Sequence, residues 1–191
     1  MPNHPSPQHS RLELACEDTA ARWARAHARD VLGKWAIPEE AANDALLVIS
    51  ELVTNAVRHT KKPDAPPPWA TARSSESCVI TLWYTPGYLL IYVYDGDRTP
   101  PVRRQPSPTL AGGRGLLLVE ALSAEWGYTY PTPTSGKSVY AKLLLPGHPM
   151  PSDVVASSAE LPLPPPRNGG GAYPQNDPLT TSRVRQGRAH G

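Results

Sequence analysis

The sequence predicts an α+β domain: a two-layer sandwich of a mostly antiparallel, mixed sheet with helices on one face. Three observations predict it. The apolar residues switch between a two-residue and a 3.6-residue period, in the order strand, helix, helix, strand, strand, helix, strand, strand. Two apolar runs, "SCVITLWYT" and "YLLIYVYD", are separated only by Pro-Gly, a hairpin signal. No segment repeats, so the elements must pack into one layered core rather than stack as an array.

The elements follow in order. "RLELACE" alternates and reads as a short strand. "DTAARWARAHARDVLGKW" has Ala, Trp and Val at helical spacing, with Asp18 or Thr19 to cap its start and Gly33 to end it. "IPEEAANDALLVISELVTNAVRHT" is a second helix. Pro38 suits its first turn, and Glu39 and Glu40 suit the positive end of its dipole. "KKPDAPPPWATARSS" carries four prolines and reads as a loop. The two hairpin strands come next, then "GDRTPPVRRQPSPTLAGGRG", a long connection without periodicity. Structureless connections of that length are uncommon inside compact domains and point to function. "GLLLVEALSAEW" reads as a third helix, and "GYTYP" and "KSVYAKLLLP" as closing strands.

Hydrophobic residues make up 39% of the 191 residues, and nearly all the long apolar runs fall within residues 11–146. That span is the expected domain. Residues 1–10 ("MPNHPSPQHS") and the Pro-, Gly-, Ser- and Arg-rich residues 147–191 read as disordered, since they cannot bury enough surface to offset ordering entropy. The net charge of +2, 19 basic against 17 acidic residues, does not point to nucleic acid or an anionic membrane. Two isolated cysteines, Cys16 and Cys78, form neither a disulfide framework nor a metal spacing and fit a reducing cytoplasm. No secretory signal and no transmembrane run are expected.

Three segments carry candidate chemistry. The first is "ELVTNAVRHT" in the second helix. With Glu51 at zero, Asn55, His59 and Arg58 fall at roughly 40°, 80° and −20°, while Ile49, Leu52, Val53, Ala56 and Val57 occupy the opposite side. The stripe is either a solvated face or a ligand surface. A solvated face usually carries Lys–Glu pairs; this one sets a carboxylate and an amide one turn apart, oxygen donors suited to Mg²⁺. The second is "YVYDGDRTPP", where Asp95 ends an apolar strand and Gly96 allows an immediate turn. Its carboxylate can accept from an exocyclic amine such as that of adenine, or simply belong to an Asp-Gly turn. The third is "LAGGRGLLLVEAL", where Gly112, Gly113 and Gly115 precede a helix, a setting for phosphate or a flexible helix entry. "TPTSGKS" is not a P-loop, because Pro131 stands where that motif needs glycine. "GGRGLLLVE" lacks the third glycine of the dinucleotide fingerprint.

Taken in order, these segments resemble the boxes of the Bergerat-type ATP-binding domain, the fold of sensor histidine kinases, gyrase B, Hsp90 chaperones and MutL proteins. "ELVTNAVRH" looks like the N box, "YDGD" the G1 box, "GGRGLLLVEAL" the G2 box and "SGKSVYAKLLL" the last strand. Within that superfamily the chain is most similar to anti-sigma regulatory factors, serine-protein kinases of the RsbW and SpoIIAB type, in their compact actinobacterial form. The resemblance spans roughly residues 11–146. It implies ATP and Mg²⁺ as ligands, with Asn55 on the metal and Glu51 as general base or as the residue that orients a metal-bound water. It implies His59 beside the phosphates, Asp95 with Gly96 at the adenine, Gly113, Arg114 and Gly115 around the phosphates, and Ser138 near the adenine with Gly136. It implies a cytoplasmic serine kinase that binds a sigma factor and phosphorylates an anti-anti-sigma factor, with room for a homodimer. The alternative is a nucleotide-dependent module that sequesters a regulator without phosphotransfer. Two departures stand out: the second glycine of the histidine-kinase G1 pattern is absent, and no phosphoacceptor-histidine helix is present.

Overall fold

The computed structural model describes residues 7–60, 77–102, 114–131, 136–145 and the backbone of 181–185. Along the chain run β1 (Gln8–Ala15), α1 (Ala20–Lys34), α2 (Glu39–Thr60), β2 (Ser77–Thr85), β3 (Tyr88–Asp95), α3 (Gly115–Leu122), β4 (Glu125–Thr129), β5 (Lys137–Leu144) and β6 (Thr181–Arg185). The strands form one sheet in the order β1-β2-β3-β5-β4-β6, and every pairing is antiparallel. The expected α+β sandwich is therefore the observed one.

Strand alternation assigns the two faces. Leu89, Ile91 and Val93 of β3 and Val139, Ala141 and Leu143 of β5 share one buried cluster with the apolar sides of α1 and α2. Leu90, Tyr92 and Tyr140 form a smaller cluster with Trp83 and Tyr88 on the other face. Both runs read as nearly continuous apolar sequence because both of their faces are buried. Asp95 ends β3 directly opposite Lys137, the first residue of β5. Both follow the odd-numbered residues of their strands, so they face the helix layer, while Tyr94 and Ser138 face away.

Helix α2 buries Val48, Ile49, Leu52, Val53, Ala56 and Val57 against that layer. α1 lies on it through Ala20, Ala24 and Ala28, all buried. Such a stripe of small side chains permits close approach of the two helices, and Arg25 Nη1 donates to Ser50 Oγ across it at 3.1 Å.

Several boundaries differ from the sequence expectation. Thr19 precedes α1 but makes no side-chain cap bond, and α1 does not end at Gly33. It ends in a Schellman arrangement: Ile37 N donates to Leu32 O and Ala36 N to Gly33 O. The left-handed residue of that motif is Ala36, at φ 52°. The third helix stops at Leu122 rather than running to Trp126. Ser123 turns extended (φ −108°, ψ 138°), and Glu125–Thr129 becomes strand β4, pairing with β5. β1 begins at Gln8, inside the stretch expected to be disordered, because residues 8–10 find backbone partners on Leu82, Trp83 and Tyr84. β6 lies in the 147–191 tail, where no element is expected; it takes the free edge of β4. The proline loop at 61–75 and most of the long connection lie outside the described residues. Among the described residues, no helix is long and apolar enough to cross a membrane.

Candidate functional site

The polar stripe of α2 is partly covered. Glu51, Asn55 and His59 are each half-buried, and Arg58 alone in this group is exposed. Around the stripe stand the turn after β3, the start of β5 and the N-terminus of α3.

At α3, a side chain at Gly115 would collide with the Glu51 carboxyl group, so that carboxylate rests against the helix's first backbone atoms. A carboxylate there meets the positive end of the α3 dipole. Only glycine allows this approach, which gives Gly115 a role beyond flexibility. Arg114 precedes the helix and is exposed. The side chain of Asn55, one turn beyond Glu51, makes no hydrogen bond among the described residues. His59 Nδ1 lies 3.6 Å from Asp97 Oδ2, an ion pair whenever the imidazole is protonated.

The turn after β3 is held by Asp95 itself. Asp97 N donates to Asp95 Oδ1 at 2.9 Å. Asp97 repeats the pattern, accepting from Thr99 N and Thr99 Oγ1. Gly96 needs no left-handed conformation here, since Gly87 and Gly136 are the glycines with positive φ among the described residues. Tyr130 O–H donates to the carbonyl of Arg98, and the Arg98 guanidinium lies 4.3 Å from the centre of the Tyr130 ring. Those contacts fasten the turn to the end of β4.

Asp95 and Lys137 form a buried pair. Lys137 Nζ donates to Asp95 Oδ1 at 2.8 Å and to the carbonyl of Asp97 at 2.8 Å. Their side chains are only 3% and 2% exposed. Burial pushes the Asp95 carboxyl above its ordinary value; the Lys137 charge and hydrogen bond and the Asp97 N–H pull it back without cancelling that push. Gly136, just before Lys137, sits at φ 50°, and a side chain there would strike the Asp95 carbonyl and the Tyr94 ring.

Glu51 thus meets Gly115 at the start of α3, and His59 meets Asp97 in the turn after β3, with Asn55 between them along α2. Gly113 lies outside the described residues. Ser138 is not brought to the group: it faces the far side of the sheet, opposite Tyr94 and Thr129. One residue earlier the strand points inward, so Lys137 occupies the place next to Asp95. Sequence reasoning did not pair Lys137 with Asp95, and it missed Asp97. The Gly-Lys dipeptide was visible, but the register that sets it against Asp95 was not.

The donors suit a hard cation. Mg²⁺ keeps several waters and takes one or two protein oxygens together with phosphates. The Asn55 carbonyl, with Glu51 one turn away, supplies that number. Among the described residues no three His, Cys, Asp or Glu side chains gather into a denser metal cluster.

A family model described as the histidine kinase-like ATPase domain matches residues 14–142. No curated protein gives a significant match. Among solved structures, the RsbU and RsbW domains of Rv1364c from Mycobacterium tuberculosis align at 24% identity and a TM-score of 0.49. The match covers 75% of this chain and 34% of that one, so this chain spans about a third of its length.

Proposed function

From the premise that the chain belongs to the histidine kinase-like ATPase domain family, we propose that it is an ATP-binding anti-sigma factor. We propose further that it transfers phosphate to a serine of an anti-anti-sigma partner. One observation carries the reading. The Glu51–Asn55–His59 stripe lies between the Asp95–Asp97 turn and the N-terminus of α3, inside the matched domain.

In this reading Asp95 accepts from the adenine amine. The free amides at the start of α3 and the Arg114 guanidinium face the phosphates, where helix dipole and cation favour negative charge. Mg²⁺, held through the Asn55 carbonyl, would neutralise the phosphate oxygens during transfer. Glu51 then takes the proton of the attacking serine hydroxyl as the oxygen bonds to the γ-phosphorus. The bond from that phosphorus to the β–γ bridging oxygen breaks, and ADP departs.

The experiment is incubation with labelled ATP and candidate anti-anti-sigma proteins of the same organism. Phosphoserine on one of them is the expected result, abolished in Glu51→Ala. Confirmed ATP binding with no phosphoserine on any candidate removes the kinase and leaves a sequestering module.

A further inference from the structure

An antiparallel sheet with helices on one side commonly leaves its other side to water. Here the other side is buried. Leu90 and Tyr140 are fully covered there, and Tyr92 is 2% exposed. All three helices send their buried side chains into the opposite cluster. The apolar neighbours packed on Leu90, Tyr92 and Tyr140 are Trp83 and Tyr88, which belong to the same sheet. His9 of β1 stacks on Trp83 at 5.2 Å, so the face is largely aromatic. Trp83 Nε1 is buried on it with no acceptor among the described residues.

Connectivity says what lies over this face. β5 and β6 both run antiparallel to β4, so they are parallel to each other with β4 between them. Residues 146–180 therefore form a crossover. It leaves beside Gly87, whose carbonyl accepts from Leu145 N. It returns at Thr181, opposite Thr129 at the other end of the sheet. Crossovers between parallel strands are right-handed in about 98% of cases. β3 and β4 are also parallel, with β5 between them, and α3 crosses on the helix side. β5 points opposite to β3, yet its crossover moves across the sheet in the same sense. If both are right-handed, they lie on opposite faces. The straight path is roughly 25 Å, about eight extended residues, so the link has length to spare. It contains "LPLPPP", Leu161–Pro166. Proline-rich segments adopt polyproline II and dock on aromatic-lined surfaces, and their carbonyls are free to accept. We propose that Leu161–Pro166 dock in that conformation across the aromatic face of the sheet, with Trp83 Nε1 donating to one of their carbonyls. The docking is independent of nucleotide.

Hydroxyl-radical footprinting of the full chain, read by mass spectrometry, tests this, with light scattering to count chains. The parent should be monomeric, with Tyr92 and Tyr140 protected relative to the urea-unfolded chain. In Leu161→Asp/Leu163→Asp their oxidation should rise several-fold, while Tyr84 on the helix side stays protected. The parent footprint and its dilution series stand alone if that variant does not fold. Oxidation of Tyr92 and Tyr140 in the native parent at the unfolded rate overturns the proposal. So does protection that the double variant leaves unchanged. Protection that disappears on dilution as a dimer separates also overturns it, because a second copy would then be the cover.

Discussion

Replacing Lys137 by Met should expose the cost of the buried carboxylate. The substitution removes two hydrogen bonds, to Asp95 Oδ1 and Asp97 O. It leaves Asp95, 3% exposed, with the Asp97 N–H as its remaining recorded donor. Breaking one side of a buried pair costs about 3–5 kcal/mol. The carboxyl can escape part of that by taking a proton. From an ordinary value near 4, protonation costs about 4 kcal/mol at pH 7 and about 1.4 kcal/mol at pH 5. The lost bond to Asp97 O adds about 1 kcal/mol. The expected deficit is therefore about 4–5 kcal/mol at pH 7 and about 2 kcal/mol at pH 5. The sign follows from burial, which already raises Asp95 in the parent. A raised acid holds a proton in the folded state that the unfolded chain has released. Its contribution is therefore fully present below the ordinary carboxylate value and is lost as pH rises through the folded one. Urea unfolding of parent and variant at both pH values measures the difference. The double variant Asp95→Asn/Lys137→Met should recover most of the loss, since it carries no unpaired charge. A deficit under about 1 kcal/mol at pH 7, or one of equal size at the two pH values, would refute the reasoning.

Other consequences follow from single positions. Ala36→Gly should stabilise the chain by about 1 kcal/mol in urea unfolding, because alanine occupies the left-handed place of the α1 Schellman turn. Gly136→Ala should destabilise it by about 2 kcal/mol or more, from its positive φ and the collision with the Asp95 carbonyl, and should lower the midpoint of thermal unfolding. Cys78 is fully buried and its thiol is pushed well above the ordinary value, with the hydrogen bond involving Cys16 and then burial as the main causes. Alkylation at neutral pH should therefore spare Cys78 in the native protein and label it after unfolding, as a mass measurement would show.

What the sequence revealed, and what it hid, follows from how local each signal is. β2 and β3 were readable to the residue because Pro-Gly separates two apolar runs. Gly87, at φ 96°, takes the turn as expected. The end of α3 was not readable. "SAEW" suits a helix as well as a strand, and pairing of Trp126 with Ala141 of β5 decided the matter. β6 has no apolar run to announce it; an edge strand is recruited through backbone groups that side-chain patterns do not encode. At the site, the α2 stripe was legible from its 3.6-residue period. The partner of Asp95 was not, because Lys137 lies 42 residues away and their meeting depends on strand register. An assignment one residue off, to Ser138, falls on the opposite face of the sheet.

The central claim is that the α2 stripe is the floor of an ATP site. It is tested most directly by calorimetric titration of ATP with and without Mg²⁺, on the parent and on Asn55→Ala. Asn55 is half-buried on the polar side of α2 and outside the apolar cluster, so the variant should unfold at the same urea concentration as the parent. The account predicts Mg²⁺-dependent binding by the parent and its loss in Asn55→Ala. Equal affinity in the two proteins, or no ATP binding by the parent at any Mg²⁺ concentration, would contradict it.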